Sequence, residues 1–526
     1  MAAALRLPAP RIEPLHAAGA VAAGLVLTLT LGTLAAVALR AEAPAALGPA
    51  DWAAVRFTVT QALVSAALSC GLAVAVACAL ARRRFPGRGA FVTLLGAPFL
   101  LPVIVAVLGL LAVWGRAGWV SGALAVLGLP PVDIYGFRGV VLAHVFFNLP
   151  LATRLILQGW LAIPAERFRL AASLGLGPAE VARLLERPML RAVLPGAFAL
   201  VFLICLTSFA VALTLGGGPR ATTVELAIYQ SFAYDFDLGR AALLATVQVA
   251  LTVAAATVAL KVAVPVLLGG GLDRPVERWD ARSPGLRALD AGWLILVSAF
   301  LLLPLGAVVA AGAAALPGLP PQVWSAARRS LLVALGSAAL TLALALPLAL
   351  LVERLRGRAA GALTEGLGYL TVAASPLVMG TGLFVILHPF VAPSTLALPV
   401  TAAVNAAMAL PFALRAILPA LRETEAAYGR LADSLALTGT ARLKVLILPR
   451  LRRPLGFSAG IAAAFSMGDL GVIALFADAQ TATLPLQLYR LMAAYRMDEA
   501  MGAALLLMGA TLALFWVFDR GGRLGA

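Results

Sequence analysis

Long apolar runs alternate with short polar segments along the whole chain. Most runs have about 20 residues, the length that a helix needs to cross a hydrocarbon layer roughly 30 Å thick. This pattern predicts about twelve membrane-spanning helices, six in each half of the chain. The predicted fold class is therefore an all-α polytopic membrane protein. The predicted spans are 17–39, 57–80, 90–114, 138–160, 193–216, 241–268, 291–316, 330–352, 361–389, 399–420, 454–477 and 500–518.

Composition supports a membrane protein, and the distribution of charge predicts its orientation. The chain is 62% hydrophobic and 12% charged, whereas soluble chains carry about 25% charged residues. Of its 40 Lys and Arg, 27 lie in alternate polar segments, and about 10 lie in the opposite loops. An excess of Lys and Arg marks the cytoplasmic side. We therefore predict a multi-pass protein of the bacterial inner (cytoplasmic) membrane, with both termini cytoplasmic. The basic segments are 1–16, 82–88, 162–192, 269–290, 353–358, 421–453 and 520–526.

Two other interpretations of these segments are disfavoured. The net charge of +16 could indicate nucleic-acid binding, but the basic residues follow the alternation of membrane loops, so we expect the lipid bilayer and no nucleic acid as a partner. The first apolar run resembles a signal peptide, since Arg6 and Arg11 precede it. Its length of 23 residues exceeds the apolar region of about 7 to 15 residues usual in signal peptides, so we expect an uncleaved span.

The cysteines and histidines give no sign of a metal site or of an enzyme. The cysteines lie inside apolar runs without a ligand or disulfide pattern, and the histidines are scattered along the chain. A membrane-embedded enzyme, one alternative function, therefore has no supporting cluster, and we predict no metal. These residues are Cys70, Cys78, Cys205, His16, His144 and His388.

An internal repeat divides the chain. An offset of 261 residues aligns Leu149-Pro150 with Leu410-Pro411 and Arg154 with Arg415. Such consistent placement of Pro and Arg indicates duplication of a six-span unit, with both copies in the same orientation because the number of spans is even. The predicted organisation is an N-terminal cytoplasmic segment with the first span and a periplasmic loop (1–56), a first repeat domain (57–268), a cytoplasmic linker (269–290), a linking span and loop (291–327) and a second repeat domain (328–520).

Two long basic loops, 162–192 and 421–453, carry the clearest part of the repeat. Each is predicted to form two short helices separated by a break. In the first loop Gly175 ends one helix, and Gly177 caps a second helix that has Pro178 in its first turn. In the second loop Thr438 occupies the position of Gly177 and is a good N-cap residue.

These loops resemble the EAA loop of binding-protein-dependent ABC importer permeases. That motif is Glu-Ala-Ala, three residues, Gly, nine residues and Ile-x-Leu-Pro. Both loops keep this spacing, but Arg replaces the family's Glu in both, and Ala436 replaces the second Gly. The matching residues are Arg169, Leu170, Ala171, Gly175 and Pro188 in the first loop, and Arg430, Leu431, Ala432, Ala436 and Pro449 in the second.

The resemblance implies a fold and a set of partners. In this family the loop's short helix docks into a groove on a separate ATPase. The chain would then be two fused, duplicated six-helix permease halves of the MetI-like type. It would work with two copies of an ABC ATPase subunit and with a periplasmic solute-binding protein.

The chain itself lacks the lysine motif needed to bind ATP. A P-loop requires Gly-Lys followed by Ser or Thr, and the two lysines of the chain, Lys261 and Lys444, each follow a Leu. We therefore predict that the chain is not an enzyme and binds no cofactor, and that its partner ATPase uses ATP and Mg.

Two further stretches are most similar to thiamine importer permeases, which suggests thiamine or its phosphates as the solute. They are Leu213–Gln248 and Phe465–Ala500. Ferric-iron importer permeases, also fused duplicates, are the alternative. In the predicted orientation both stretches face the periplasm, where a loaded binding protein would dock. The docking candidates are Tyr229, Tyr234, Tyr489 and Tyr495.

Asp469 is the candidate for the translocation pathway, because a carboxylate within a span is costly and often functional. Its counterpart in the first repeat is Ser208. The alternative is a structural Asp469, hydrogen-bonded to nearby backbone at the end of its span. A twelve-helix secondary transporter is the alternative of another class, but such a carrier is expected to have a Gly-rich acidic loop after its second span, and the loop 82–88 contains no acid.

Overall fold

The computed structural model describes residues 14–42, 47–96, 98, 100–216, 218, 221–262, 278–279, 282–373 and 375–524. Residues 1–13 of the predicted N-terminal segment and residues 269–277 and 280–281 of the predicted linker 269–290 lie outside this part of the chain.

The described residues form helices and loops, with no strand among them. This confirms the all-α fold. The α-helices are α1 Pro14–Leu27, α2 Thr33–Arg40, α3 Pro49–Arg82, α4 Arg88–Leu94, α5 Val103–Trp114, α6 Trp119–Val126, α7 Phe137–Leu161, α8 Ala165–Ser173, α9 Pro178–Val181, α10 Arg187–Leu206, α11 Ala210–Leu215, α12 Val224–Ala233, α13 Leu238–Val262, α14 Pro284–Ala315, α15 Pro321–Arg354, α16 Ala359–Ala373, α17 Pro376–Leu387, α18 Ala397–Ser434, α19 Gly439–Arg442, α20 Leu448–Met467, α21 Gly471–Phe476, α22 Leu484–Ala493 and α23 Met497–Leu524.

Ten of the described helical segments are long and apolar enough to cross a membrane. The number becomes eleven if Ala359–Thr371 and Pro376–Leu387, whose axes differ by 91°, form one bent span. The polytopic fold is thus confirmed, and the predicted count of twelve is not.

Two predicted spans are not among the ten: 361–389, which corresponds to the bent pair, and 454–477. Breaks also interrupt several of the predicted spans. Within predicted span 90–114, helix α4 ends at Leu94, and α5 begins only at Val103, directly after Pro102. Proline lacks the N–H that an interior helical position needs, and its ring clashes with the preceding turn. The predicted spans 193–216 and 454–477 are broken as well, since α10 and α20 end before the short helices α11 and α21.

One compact unit comprises Arg40–Ala327 and Thr483–Gly509. Its core lies where α3 packs along α7 through small, fully buried side chains such as Ala62, Ala66 and Ala143. Small residues let two helix backbones approach closely, and van der Waals packing rather than water exclusion holds helices together in lipid.

The other compact unit comprises Met1–Leu39, Arg328–Ala482 and Ala510–Ala526. Here α18 packs along α20, and α1 approaches α15 at Gly19. A Cβ at Gly19 would lie 2.6 Å from the carbonyl oxygen of Pro347 and 2.7 Å from Cβ of Leu351. This close approach requires glycine.

The repeat is visible in the helix boundaries. Helices α9, α10 and α11 begin and end 261 residues before α19, α20 and α21. The five-residue π-helical segments Ala182–Glu186 and Leu443–Ile447 keep the same offset. This agreement supports the predicted duplication, while the predicted domain boundaries stay a prediction.

Candidate functional site

The first long basic loop begins with α8, which is amphipathic. Phe168 and Ala171 are buried, and Arg169 and Leu170 point outward. The helix ends before Gly175, whose φ of +64° lies in the left-handed region that favours glycine. Helix α9 then begins at Pro178 with Gly177 as its N-cap residue, as the sequence predicted.

The second long loop keeps this arrangement with one difference. Ala432 is buried like Ala171, Ala436 has a φ of +52°, and Thr438 is the N-cap residue of α19, although its side chain makes no capping hydrogen bond. The predicted pair of short helices is wrong here, because α18 runs without interruption from its membrane span to Ser434. In the first loop Pro164 separates α7 from α8, whereas the matching residue is Glu425, which continues the helix.

Pro188 and Pro449, the last matched residues of the loop motif, do not interrupt the helices. Each lies second in a long helix, directly after a π-helical segment. A π-helical turn is wider than an α-helical turn, which leaves room for a residue that donates no backbone hydrogen bond. Each loop is therefore joined to its next span through continuous helix.

Both loops expose three large apolar side chains at matching positions. The first triad is 52–65% exposed, and the second is 58–65% exposed. Exposed apolar patches mark sites of protein or membrane interaction. The first triad is Leu170, Leu174 and Leu184, and the second triad is Leu431, Leu435 and Val445.

A buried charge network supports the first loop. Glu186 is 5% exposed, and its Oε1 accepts hydrogen bonds from Arg278 Nη1 at 2.9 Å and Trp160 Nε1 at 3.3 Å. Arg82 Nη2 at the end of α3 lies 3.5 Å from Glu186 Oε2. Arg83 Nε donates to Asp290 Oδ2 at 2.5 Å. The network therefore ties the loop to α3 and to a residue of the predicted linker.

Different residues support the second loop. Arg442 in α19 pairs with Glu425 of α18, and its Nη1 donates to Asp433 Oδ1 at 2.7 Å. Hydrogen bonding to Glu425 is the main reason why the pKa of Arg442 is raised. Ile447 stands at the position of Glu186, so the two networks are not copies of one another. The sequence analysis missed Glu186 and Arg442. The signal available for Glu186 was an acid within a strongly basic loop.

Three of the four predicted docking tyrosines lie close enough for their rings to contact or to interact electrostatically. The rings of Tyr229 and Tyr234 lie 6.0 Å apart, edge to face. Burial, with smaller contributions from Tyr234 and Tyr489, raises the pKa of Tyr229 to about 12. Tyr234 is 64% exposed, and Tyr495 is 90% exposed with a left-handed φ of +59°. Tyr234 and Tyr495 are therefore accessible, and Tyr229 packs against the ring of Tyr234.

Asp469 and Ser208 lie at equivalent helix breaks, after α20 and α10. The Asp469 carboxylate accepts hydrogen bonds from the backbone N–H groups of Val472 at 3.5 Å and Ile473 at 3.4 Å. This is the structural role considered as the alternative for Asp469. A role in the pathway stays a prediction for both residues.

Two glutamines missed by the sequence analysis stabilise the break at Ser208. Gln61 Nε2 donates to the Cys205 carbonyl at 2.9 Å, and Gln248 Nε2 donates to the Leu206 carbonyl at 3.0 Å. These carbonyls belong to the last turn of α10 and lack helical partners. Irregular backbone at membrane depth is tolerated only where such groups are satisfied.

Comparison with known proteins identifies relatives over nearly the full chain. The chain is 40% identical over 527 aligned residues to the thiamine transport system permease protein ThiP of Brucella abortus (strain 2308), covering 98% of this chain and 96% of the relative. It is 39% identical to ThiP of Salmonella typhimurium, covering 95% and 96% of the two chains. It is 39% identical to ThiP of Escherichia coli (strain K12), covering 89% of each.

A shorter similarity covers part of a second type of permease. The sulfate transport system permease protein CysT of Synechococcus elongatus is 38% identical over 133 residues, which is 25% of this chain. No family model matches the chain. The full-length relatives and the polytopic helical fold show that the chain belongs to the family of thiamine transport system permease proteins.

Proposed function

We propose that this chain is the membrane-spanning subunit of an ATP-driven importer that carries thiamine or its phosphates across the inner membrane. Relatives that match over nearly its whole length are thiamine transport permeases. They favour thiamine over ferric iron, the alternative that the loop sequences left open.

The observation that carries the proposal is the pair of exposed apolar triads. They lie at matching positions on the two long basic loops, which positive charge assigns to the cytoplasm. Burial of Leu174 and Leu435 in an apolar groove of a partner protein would be more favourable than their exposure to water. Two such loops correspond to two ATPase subunits for each chain.

Coupling follows from how the loops are joined to the spans. Each loop continues through a π-helical segment into α10 or α20 without a flexible connection. A movement of the ATPase would therefore reach these helices directly, and the helices would alternate between two packings. The chain would contribute no catalysis, since ATP and Mg would be bound by the ATPase.

The exposed tyrosines suit the predicted periplasmic face. Tyr234 and Tyr495 present large, rigid rings of the kind enriched at protein interfaces. A periplasmic binding protein docked there would release its solute to the membrane spans of this chain. Both termini are proposed to be cytoplasmic on the same charge argument.

Uptake of labelled thiamine by cells with and without the chain tests the proposal, with the ATPase and binding protein present in both. Labelled ferric iron is run in parallel. We expect thiamine uptake to require the chain and iron uptake to be unaffected. Loss of iron uptake, with thiamine uptake intact, would show that the solute is wrong while leaving the coupling argument in place.

A further inference from the structure

Two residues of the predicted linker, Arg278 and Trp279, contact the first long basic loop and are called the linker clamp below. Arg278 is 7% exposed. Its Nη1 donates to Glu186 Oε1 at 2.9 Å, and its Cζ lies 4.9 Å from the centroid of the Phe168 ring. Trp279 Nε1 donates to the Leu176 carbonyl at 3.3 Å. The clamp therefore contacts the loop at three points: α8, the turn after it and the π-helical segment before α10.

Burial strengthens these contacts. Trp279 is partly buried and packs against the hydrophobic core cluster to which Phe168, Ala171 and Val181 of the loop belong. Arg278 makes its hydrogen bond to a carboxylate and its cation–π contact away from water, where both are stronger than at an exposed site. The clamp is thus part of the packed support of the loop.

The backbone of the first loop explains why such support is needed. Helix α7 ends at Leu161, and α8 begins at Ala165, directly after Pro164. Proline keeps the residue before it out of the helical conformation, so the span does not continue into α8 as one helix. In the second loop Glu425 stands at the position of Pro164, and α18 continues from the span to Ser434.

The second loop also differs at positions that the clamp contacts in the first. Leu437 and Ile447 stand at the positions of Leu176 and Glu186, and both line an open cleft of about 440 Å³. The aliphatic side chain of Ile447 cannot accept the hydrogen bond that Glu186 accepts from Arg278. The contacts of the clamp are therefore specific to the first loop.

We propose that Arg278 and Trp279 are positioning residues for the first long basic loop, taking the place of the continuous helix that positions the second. The consequence for coupling rests on the proposed function, in which each loop binds one ATPase subunit. Movement of one subunit would reach the spans through a loop fixed by the linker, and movement of the other through α18. Weakening the clamp would therefore uncouple one loop and leave the other coupled.

Amide hydrogen exchange of the purified full-length chain, without ATPase or binding protein, tests the positioning role. In the Trp279→Ala variant we expect exchange in residues 165–186 to speed up by about tenfold or more, because ring packing and a hydrogen bond are lost. Trp279→Phe keeps a ring and loses the N–H donor, so the increase should be smaller, about fivefold. Exchange in residues 426–447 should not change. Unchanged exchange in the first loop, or an equal increase in both loops, would overturn the proposal.

A second substitution tests whether the clamp replaces helix continuity. Pro164→Glu gives the first loop the residue found in the second, so the Trp279→Ala/Pro164→Glu variant should regain part of the protection lost in Trp279→Ala. No regain would contradict the proposed reason for the clamp. Trp119→Ala provides the control, because Trp119 is 53% exposed in α6. It should leave exchange in both loops unchanged, and faster exchange in residues 165–186 there would show that the effect is not specific to the clamp.

Proteoliposomes containing the chain, its ATPase and the binding protein test the consequence for coupling. The Trp279→Ala chain should transport fewer thiamine molecules for each ATP hydrolysed, while hydrolysis continues. An unchanged ratio, despite faster exchange in residues 165–186, would overturn the role of the clamp in coupling. Absence of thiamine uptake by the unchanged chain would instead count against the proposed function, and the exchange result would still decide whether the clamp positions the loop.

Discussion

Gly175 and Ala436 adopt the same left-handed backbone conformation at matching positions of the two long basic loops, with φ values of +64° and +52°. The conformation turns the chain from the first loop helix into the second. For glycine it is free of strain, whereas an L-residue with a Cβ pays roughly 1–2 kcal/mol. The second loop therefore holds a strained residue where the first has none.

Reciprocal substitutions at these two positions should have opposite effects. Ala436→Gly removes the strain, so we expect amide hydrogen exchange in the second loop to slow by about fivefold or more. Gly175→Ala meets no neighbouring atom within 4 Å, so its effect should come from backbone strain alone and speed exchange in the first loop by a similar factor. Changes in the same direction would contradict this account of the turn.

The exposed triads predict an effect on ATPase binding. Introducing a charge at their centres, with Leu174→Glu and Leu435→Glu, should weaken binding of the ATPase about tenfold or more, because buried apolar anchors carry much of an interface's energy. Affinity is measured with purified ATPase and the detergent-solubilised chain. Leu129, which is 51% exposed in the loop before α7, provides the control. Leu129→Glu should leave the affinity unchanged, and an equal loss in that variant would remove the triads from the interface.

The buried ion pair between Glu186 and Arg278 should affect the free energy of unfolding far more than an exposed ion pair does. Glu186→Gln leaves Arg278 buried beside a neutral amide, which typically costs about 3–5 kcal/mol. We expect a clear fall in the thermal unfolding midpoint, and the Glu186→Leu/Arg278→Met double variant should recover much of it. Arg116 and Asp133, 3.6 Å apart and both more than half exposed, form the matched control. Arg116→Gln should change stability by less than about 1 kcal/mol, and a comparable loss there would contradict the network's role.

The hydrogen bonds of Asp469 predict which substitutions transport tolerates. Asn keeps an oxygen that can accept from the Val472 or Ile473 N–H group, whereas Ala leaves both without this partner. We expect thiamine uptake by Asp469→Asn to stay within about threefold of the unchanged chain, and uptake by Asp469→Ala to fall further, in line with a lost local hydrogen bond. Loss of uptake in both variants at equal protein levels would assign a function to the charge itself.

Sequence patterns predicted the fold and the short helices of the first long basic loop because both depend on local rules. Apolar runs of sufficient length specify membrane helices, and turn residues such as Gly175 and Pro178 mark the loop's helices. The helix breaks were missed, since the residues around Ser208 remain apolar in sequence. What stabilises that break is supplied by Gln61 and Gln248, which lie far from it along the chain.

The charge networks were missed for the same reason. Glu186 and Arg278 are 92 residues apart, and no short-range pattern brings them together. The internal repeat also led to a wrong prediction for the second loop, because it suggests the same helix boundaries in both loops. A single residue, Pro164 in one loop and Glu425 in the other, decides whether the helix stops or continues.

The measurement that tests the central claim most directly is thiamine uptake into proteoliposomes that contain the chain and its ATPase, with the binding protein and labelled thiamine outside. We predict that uptake requires ATP on the ATPase side. Uptake should be abolished by the Leu174→Glu/Leu435→Glu double substitution and unaffected by Leu129→Glu. Uptake that proceeds without ATP on an ion gradient alone, or that is unchanged in the double variant, would contradict the assignment of this chain as an ATPase-coupled permease.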